Sequence, residues 1–385
     1  MIYLDNAATT KPKKEVIDLM MQYLTDKWQN PSSLYSSSKN IKKDIEKSRK
    51  TVAGFLNAEP EEIIFTSGGS ESNCTVIQGF INYWKSKGQK TTIITTVIEH
   101  KSIIECVDNV AESLHYISVN EEGFVDCDIL EAVLKNINKN NKILVSVQFA
   151  NNEIGTIQDI KKISELVHKY NGVFHTDAVQ AFGHILINVK KLGIDMLSAS
   201  GHKIGTPKGI GILYKKKDIN IKPIIYGSQE SGLRGGTENI PYIIAFGMAT
   251  VIAGRTMNKN ESRIKELRDY FIMQLRKEFN CFINGSLISR LNNNISVTFV
   301  NQNITNESLL YLMDINNIYL SSGSACNSYS VKPSHVLQAI GLIDKWIRKT
   351  IRISIDETLT KEEIDYVIFE LKRNIKLISE GYNDL

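Results

Sequence analysis

Cysteine is sparse and unpatterned in this chain. Five occur in 385 residues, at Cys74, Cys106, Cys127, Cys281 and Cys326, and none forms a CxxC pair. An odd, scattered set excludes the usual zinc spacings and a disulfide framework, and it fits a reducing cytoplasm. A dominant charge is missing as well. Lys and Arg number 46 against 42 Asp and Glu, a net of +4, which is too near balance for nucleic-acid or membrane-surface binding as the main activity. The N-terminus lacks a signal peptide, because Met1-Ile2-Tyr3-Leu4-Asp5 reaches a carboxylate before any apolar run develops. The most apolar stretch, 240–254, is interrupted by Pro241 and Thr250; it is too short to span a bilayer and reads as a buried helix. No internal repeat or low-complexity linker is visible. What remains is an ordinary globular composition, 42% hydrophobic and 23% charged, with chain enough for about two domains.

Between residues 60 and 215, short β-rich runs alternate with amphipathic stretches. The strand candidates are 62–65, 91–96, 142–149, 173–175, 195–199 and 210–214. Between the first two, Val76, Ile77, Phe80, Ile81 and Trp84 share one helical face. Alternation of this kind predicts βα units and a mostly parallel sheet covered by helices. After residue 255 the texture changes to a charged helix over 261–278, strands near 295–300, 319 and 351–355, and a helix near 306–315. A last helix opens at the capping box Thr360-x-x-Glu363. The expected fold class is therefore α/β, with a large domain over 16–254 and a smaller α+β domain from 1–15 and 255–385. Two helices, 13–28 and 39–56, could pack on either.

Three motifs carry chemistry. Thr66-Ser67-Gly68-Gly69-Ser70-Glu71-Ser72-Asn73 lies between a strand and a helix, where a glycine turn can aim N–H groups at an anion. It matches neither a dinucleotide fingerprint nor a P-loop, and alone it reads first as a plain Gly-Ser turn with a capping serine. Ser200-Gly201-His202-Lys203 follows an apolar run. A lysine ending a buried strand is a Schiff-base candidate, although a lone lysine is more often a solvated loop residue. His175-Thr176-Asp177-Ala178-Val179-Gln180 stands at another strand end, and in open α/β sheets ligands bind outside such ends. A phosphate cradle, a carboxylate for a pyridine nitrogen and a Schiff-base lysine form the binding set for pyridoxal 5'-phosphate.

With these motifs in place, the chain resembles the cysteine desulfurases of the NifS/IscS type, within class V of the fold-type I pyridoxal-phosphate enzymes. The resemblance runs nearly end to end. It rests on Tyr3-Leu4-Asp5-Asn6-Ala7-Ala8-Thr9-Thr10, Asn30-Pro31-Ser32-Ser33, the three motifs above, Glu99-His100 and Asn151-Asn152-Glu153-Ile154-Gly155. It continues through Arg234-Gly235-Gly236-Thr237-Glu238-Asn239, Ser322-Gly323-Ser324-Ala325-Cys326 and Ile351-Arg352-Ile353-Ser354. It implies a seven-stranded, mostly parallel sheet and conversion of L-cysteine to L-alanine, with the sulfur passing to an enzyme cysteine. The alternatives are a selenocysteine lyase or another class V aminotransferase.

The resemblance also implies roles. Lys203 bonds the cofactor aldehyde and moves protons, Asp177 pairs with the pyridine nitrogen, and Gln180 and Asn152 bond the ring oxygen. His100 stacks on the ring as acid or base. Gly69, Ser70, Ser200 and His202 hold the phosphate, joined by Thr237 from the second subunit of a homodimer. Arg352, with Asn152, binds the substrate carboxylate, for which a guanidinium fork is well shaped. Cys326 lies in a small, polar, glycine-bearing stretch read as a mobile exposed loop, and the resemblance makes it the sulfur acceptor. No resident metal is expected, though Cys326 could touch an iron–sulfur cluster transiently. The implied partners are a protein sulfur acceptor, either an iron–sulfur scaffold or a tRNA-thiolation protein, with no direct nucleic acid and no membrane. One departure stands out. Relatives carry Gly-Gly-Gly-(His/Gln)-Glu-Arg-Gly where this chain has Gly227-Ser228-Gln229-Glu230-Ser231-Gly232, one residue shorter and without the arginine.

Overall fold

The computed structural model describes residues 1–300, 304–322 and 333–380. In chain order the elements begin with β1 (Ile2–Tyr3), α1 (Lys14–Thr25) and α2 (Ser36–Leu56), followed by β2 (Ile63–Thr66), α3 (Gly69–Lys85), β3 (Thr91–Thr96), α4 (Lys101–Val110) and β4 (Leu114–Ile117). Then come α5 (Cys127–Asn136), β5 (Lys142–Ser146), α6 (Ile160–Lys169), β6 (Val173–Asp177), β7 (Met196–Ser200), β8 (Gly211–Lys215) and α7 (Ile240–Glu278). The remainder is β9 (Cys281–Ile283), β10 (Asn294–Phe299), α8 (Asn306–Ile315), β11 (Ile318–Tyr319), α9 (His335–Ala339), α10 (Asp344–Ile347), β12 (Thr350–Ser354) and α11 (Lys361–Glu380).

Side chains alternate across a strand, so a strand buried on both faces must be apolar at consecutive positions. That is the pattern here. Ile93, Leu144, Met196 and Leu213 pack with α3 and α4, while their neighbours Ile94, Val145, Leu197 and Ile212 pack on the opposite face. The seven-stranded sheet runs β2-β8-β7-β6-β5-β3-β4. It is parallel from β7 to β4, and only the two pairings made by β8 are antiparallel. The strand β4 is absent from the sequence-based expectation. His115 and Tyr116 are exposed on it, so this edge strand lacks the double-sided apolar signal of its neighbours.

Helices α1 and α2 pack on the first apolar cluster beside the start of α7, through Val16, Met20, Ile41 and Ile45. A second cluster joins Leu4, Ile264 to Leu275, β10, β12 and α11. The helix expected to stop near 254 and the charged helix expected from 261 are one continuous 39-residue helix. Its first half lies in one cluster and its second half in the other. The reading of 240–254 as too short to span a bilayer is corrected with it. One 18-residue window of α7 is long and apolar enough, and 56% of that window is buried inside the fold, as befits a core helix. The expected capping box opens α11, with Glu363 N donating to Thr360 Oγ1 at 3.2 Å and Thr360 N to Glu363 Oε2 at 3.0 Å.

The shortened stretch 227–232 has a definite anchor. Glu230 and Ser231 both take left-handed backbone angles, φ 47° and 56°, which is unfavourable for non-glycine residues. They are held because Arg49 grips Glu230 through two hydrogen bonds of 2.7 and 2.8 Å. The Phe65 amide donates to the same carboxylate at 2.9 Å.

Candidate active site

Parallel strands end on one side of their sheet, so the loops that follow them collect on one rim. Strand β2, linked through β8, runs the same way as β7 and ends there too. The rim encloses a cavity of about 430 Å³, inside the range usual for small-molecule and cofactor sites. Gly69 and Ser70 line it from the start of α3, His100 from the N-cap of α4, and Asn152 from the turn after β5. Asp177 ends β6, Gln180 follows it, Ser200 ends β7, and His202 and Lys203 come from the next turn. Arg352 enters from the middle of β12, on the second cluster's side. Of the residues singled out from sequence, Thr237 does not line this cavity and is exposed. Cys326 lies outside the described residues.

Asp177 is 2% exposed. Its Oδ2 accepts from Asn73 Nδ2 at 2.8 Å and its Oδ1 from the Val179 amide at 2.9 Å. Both named donors are neutral. The charge of the carboxylate is solvated by them but not neutralised. Asn73 Nδ2 also donates to Ser102 Oγ at 2.9 Å, and Ser102 lies 2.8 Å from His100 Nδ1. The Ser102 amide donates to the same nitrogen at 3.1 Å, which puts the proton of the neutral ring on Nε2. One network thus ties Asp177 to His100.

Lys203 Nζ donates to the carbonyls of Ala7 and Ala8 at 2.5 and 2.7 Å. The N-terminal motif therefore folds back to seat this lysine, and Gln180 Nε2 donates to the same Ala7 carbonyl at 3.0 Å. His202 is held neutral, pushed down to about 4 by burial with Lys203 and Lys208 nearby. Its Nδ1 lies 3.1 Å from Thr9 Oγ1. Arg352 is 2% exposed and pairs with Asp5 Oδ1 at 2.7 Å through Nη2, while Nη1 donates to the Asn152 carbonyl at 3.0 Å. Asn152 Oδ1 accepts from Gln148 Nε2 at 3.2 Å.

These residues fit pyridoxal phosphate. The 17-residue helix α3 presents its N-terminal amides to the rim, which suits a phosphate. Gly69 approaches the wall so closely that a Cβ would sit 2.5 Å from Val179 Cγ2, so a side chain would close that turn. A buried carboxylate solvated by neutral donors suits a protonated ring nitrogen. A half-buried lysine in the same cavity suits an aldehyde-bonding amine.

Among the wall residues that sequence reasoning missed are Asn73, Glu99, Ser102 and His335. Asn73 and Glu99 stood inside quoted motifs without a role, and Ser102 and His335 had no signal until the fold placed them. Glu99 is 1% exposed and its carboxyl is pushed up to about 8 by burial. Its Oε1 accepts from Thr96 Oγ1 at 2.5 Å and the Gln148 amide at 3.0 Å. His335 Nε2 lies 3.0 Å from the Glu99 carbonyl.

Comparison with known proteins agrees with this architecture. Residues 2–367 match the aminotransferase class-V family. A protein of Dictyoglomus turgidum named cysteine desulfurase IscS is 42% identical over 380 residues, covering 97% of this chain and 94% of the relative. Another of that name, from Methanosarcina thermophila, is 43% identical over 371 residues, covering 95% and 90%. Among solved structures, a NifS-like protein from Rickettsia africae ESF-5 superposes with a TM-score of 0.89 at 36% identity, covering 98% of this chain and all of that one.

Proposed function

Since the chain belongs to the aminotransferase class-V family, and within it to the cysteine desulfurases, we propose that it converts L-cysteine to L-alanine and transfers the sulfur to its own Cys326. The observation that carries this reading is the meeting of Lys203, Asp177 and the α3 N-terminus in one cavity, with Arg352 facing them. The relatives' names favour desulfuration over a selenocysteine lyase or another aminotransferase.

The side chains divide the work. Gly69, Ser70, Ser200 and His202 hold the phosphate of pyridoxal 5'-phosphate, and neutral His202 donates rather than carries charge. Asp177 would keep a proton on the ring nitrogen, Gln180 and Asn152 would take the ring oxygen, and His100 would stack on the ring as acid or base. Lys203 would bond the aldehyde and move a proton at the substrate carbon. When bound, the cofactor supplies an electron sink for bonds at that carbon. Arg352 takes the substrate carboxylate in place of Asp5, beside Asn152. In the net reaction the Cys326 thiolate attacks the substrate sulfur, an S–S bond forms, and the C–S electron pair stays with carbon. Carbon then takes a proton. The thiolate is the reactive form.

The chain is read as a homodimer to which the partner contributes Thr237. Exposed Trp28, Leu34, Tyr35 and Tyr226 support this, since they leave apolar surface to cover. Division into residues 16–254 and residues 1–15 with 255–385 is supported by the two apolar clusters. The unpaired thiols of Cys74, Cys106, Cys127 and Cys281 favour action in the cytoplasm. The persulfide would pass to a protein acceptor of an iron–sulfur scaffold or a tRNA-thiolation system, with a cluster contact at Cys326 at most transient. The test is direct. Purified protein loaded with pyridoxal phosphate is given L-cysteine, alanine is quantified, and mass spectrometry seeks one added sulfur. Alanine with sulfur on Cys326 supports the reading; no alanine, or sulfur on another cysteine, refutes it.

A further inference from the structure

Desulfuration moves a proton from sulfur to carbon. The substrate thiol and the Cys326 thiol enter, and alanine and a persulfide leave. The cysteine C–S bond breaks, one S–S and one C–H bond form, and no outside oxidant or reductant is needed. Some group has to hold the proton between these events. Lys203 and His100 are candidates, and the cavity wall contains another.

Glu99 lines the cavity and adjoins His100 in sequence. Its two oxygens are unequal. Oε1 accepts from Thr96 Oγ1 and the Gln148 amide, whereas Oε2 is shielded from solvent and has no hydrogen-bond partner among the described residues. A buried carboxylate oxygen left unpartnered is costly, and protonating that oxygen removes most of the cost. The titratable and charged groups that line the same cavity are Asp177 on β6, Glu153 after β5, His100 and Lys101 at the start of α4, His335 on α9, His202 and Lys203 after β7, and Arg352 on β12. Asp177 opposes a second negative charge at Glu99. Glu153 is occupied by Ser334 Oγ at 2.5 Å, and Arg352 pairs with Asp5.

We propose that Glu99 is a further proton-carrying side chain of this site, beside Lys203 and His100, holding at Oε2 the proton that passes from sulfur to carbon. The inference rests on the desulfurase reading. At rest the carboxyl is protonated. It gives its proton toward carbon when the C–S bond breaks, and it recovers one from the thiol that becomes the persulfide. Burial, which raises the carboxyl to about 8, keeps the proton within reach of neutral pH.

Glu99→Gln separates this from a structural role. The amide keeps a carbonyl oxygen for Thr96 and the Gln148 amide, but it cannot exchange a proton. The variant is expected to fold, to bind pyridoxal phosphate as tightly as wild type, and to keep its KM for L-cysteine. Its kcat should fall about 10²-fold, the size usual for loss of an acid–base group, and the limb of the wild-type kcat profile near pH 8 should vanish. A Glu99→Gln enzyme with wild-type kcat and an unchanged pH profile overturns the proposal. Should that variant not accumulate, infrared spectroscopy of the wild type decides. A protonated-carboxyl band present at neutral pH and lost as pH rises through about 8 supports the proposal, and absence of that band at neutral pH overturns it. Wild type that makes no alanine from L-cysteine would instead refute the desulfurase reading itself.

Discussion

The two walls of the cavity treat buried charge in opposite ways. On the sheet side, Asp177 is bound by a carboxamide and a backbone amide, neutral donors that orient its carboxylate, with no ion-pair partner among the described residues. On the other side, Arg352 is paired with Asp5 and tied to a backbone carbonyl, so its charge is already spoken for. The first arrangement waits for a cation and can raise the basicity of a ring nitrogen. Under the proposed function, the second would keep the substrate-carboxylate group held in place by Asp5, a competitor that substrate would have to displace. On the proposed reading, a wall suited to electronic control and a wall suited to exchangeable binding face each other across one cavity.

The contrast breaks most completely when the covalent groups are removed. Lys203→Ala should lose activity by about 10³-fold or more, and borohydride should no longer fix cofactor to the chain; label found on another lysine would show that Lys203 is not the aldehyde-bonding amine. Cys326→Ser should also abolish sulfide and alanine formation, yet keep colour and the spectral change on adding L-cysteine, since serine cannot hold a persulfide. Normal turnover by that variant would remove Cys326 from the reaction.

Asp177→Asn tests the sheet wall. It keeps an oxygen for the Val179 amide and deletes the charge, so kcat should fall about 10²-fold while the protein stays folded and still binds cofactor. Near-wild-type alanine production would reduce Asp177 to a structural part. Asp5→Asn tests the other wall. It frees Arg352 for substrate, so KM for L-cysteine should fall about fivefold, as expected for an ion pair worth about 1 kcal/mol. Thermal stability should drop, because a buried guanidinium loses its counter-charge. A rise in KM would mean that Asp5 aims Arg352 rather than competing for it.

The smallest effect concerns acid. His175, in the strand that ends at Asp177, bridges Ser146 and Ser198 at 2.9 and 3.0 Å and is pushed down to about 3 by burial. Its folded value is depressed, so the unfolded chain binds more protons in acid. Its contribution is complete above the unfolded value near 6.5 and is lost as pH falls from there toward about 3, by at most about 1.4 kcal/mol per pH unit. His175→Gln should flatten that part of the stability profile in urea titrations between pH 4 and 6.5. An unchanged slope would place the acid sensitivity elsewhere.

The sequence alone determined the local pieces. Consecutive apolar residues at Ile93-Ile94 and Leu144-Val145 declared strands buried on two faces, and the Thr360–Glu363 box declared a helix start, because periodicity and capping are properties of neighbours along the chain. The motifs at Gly69-Ser70, Asp177 and Lys203, which the fold brings into one cavity, were legible too, each being a short run at an element boundary. Tertiary structure decided the rest. Nothing local could tell that 240–254 and 261–278 are one helix serving two cores, since a helix changes its buried face without changing its backbone. Nor could it show that Asn73 serves Asp177, that Ala7 and Ala8 seat Lys203, that Asp5 pairs with Arg352, or that Glu99 is buried with one oxygen unpaired among the described residues. Those pairings join residues dozens to hundreds of positions apart, and burial, which sets the charge state of Glu99 and His175, exists only once the walls have closed.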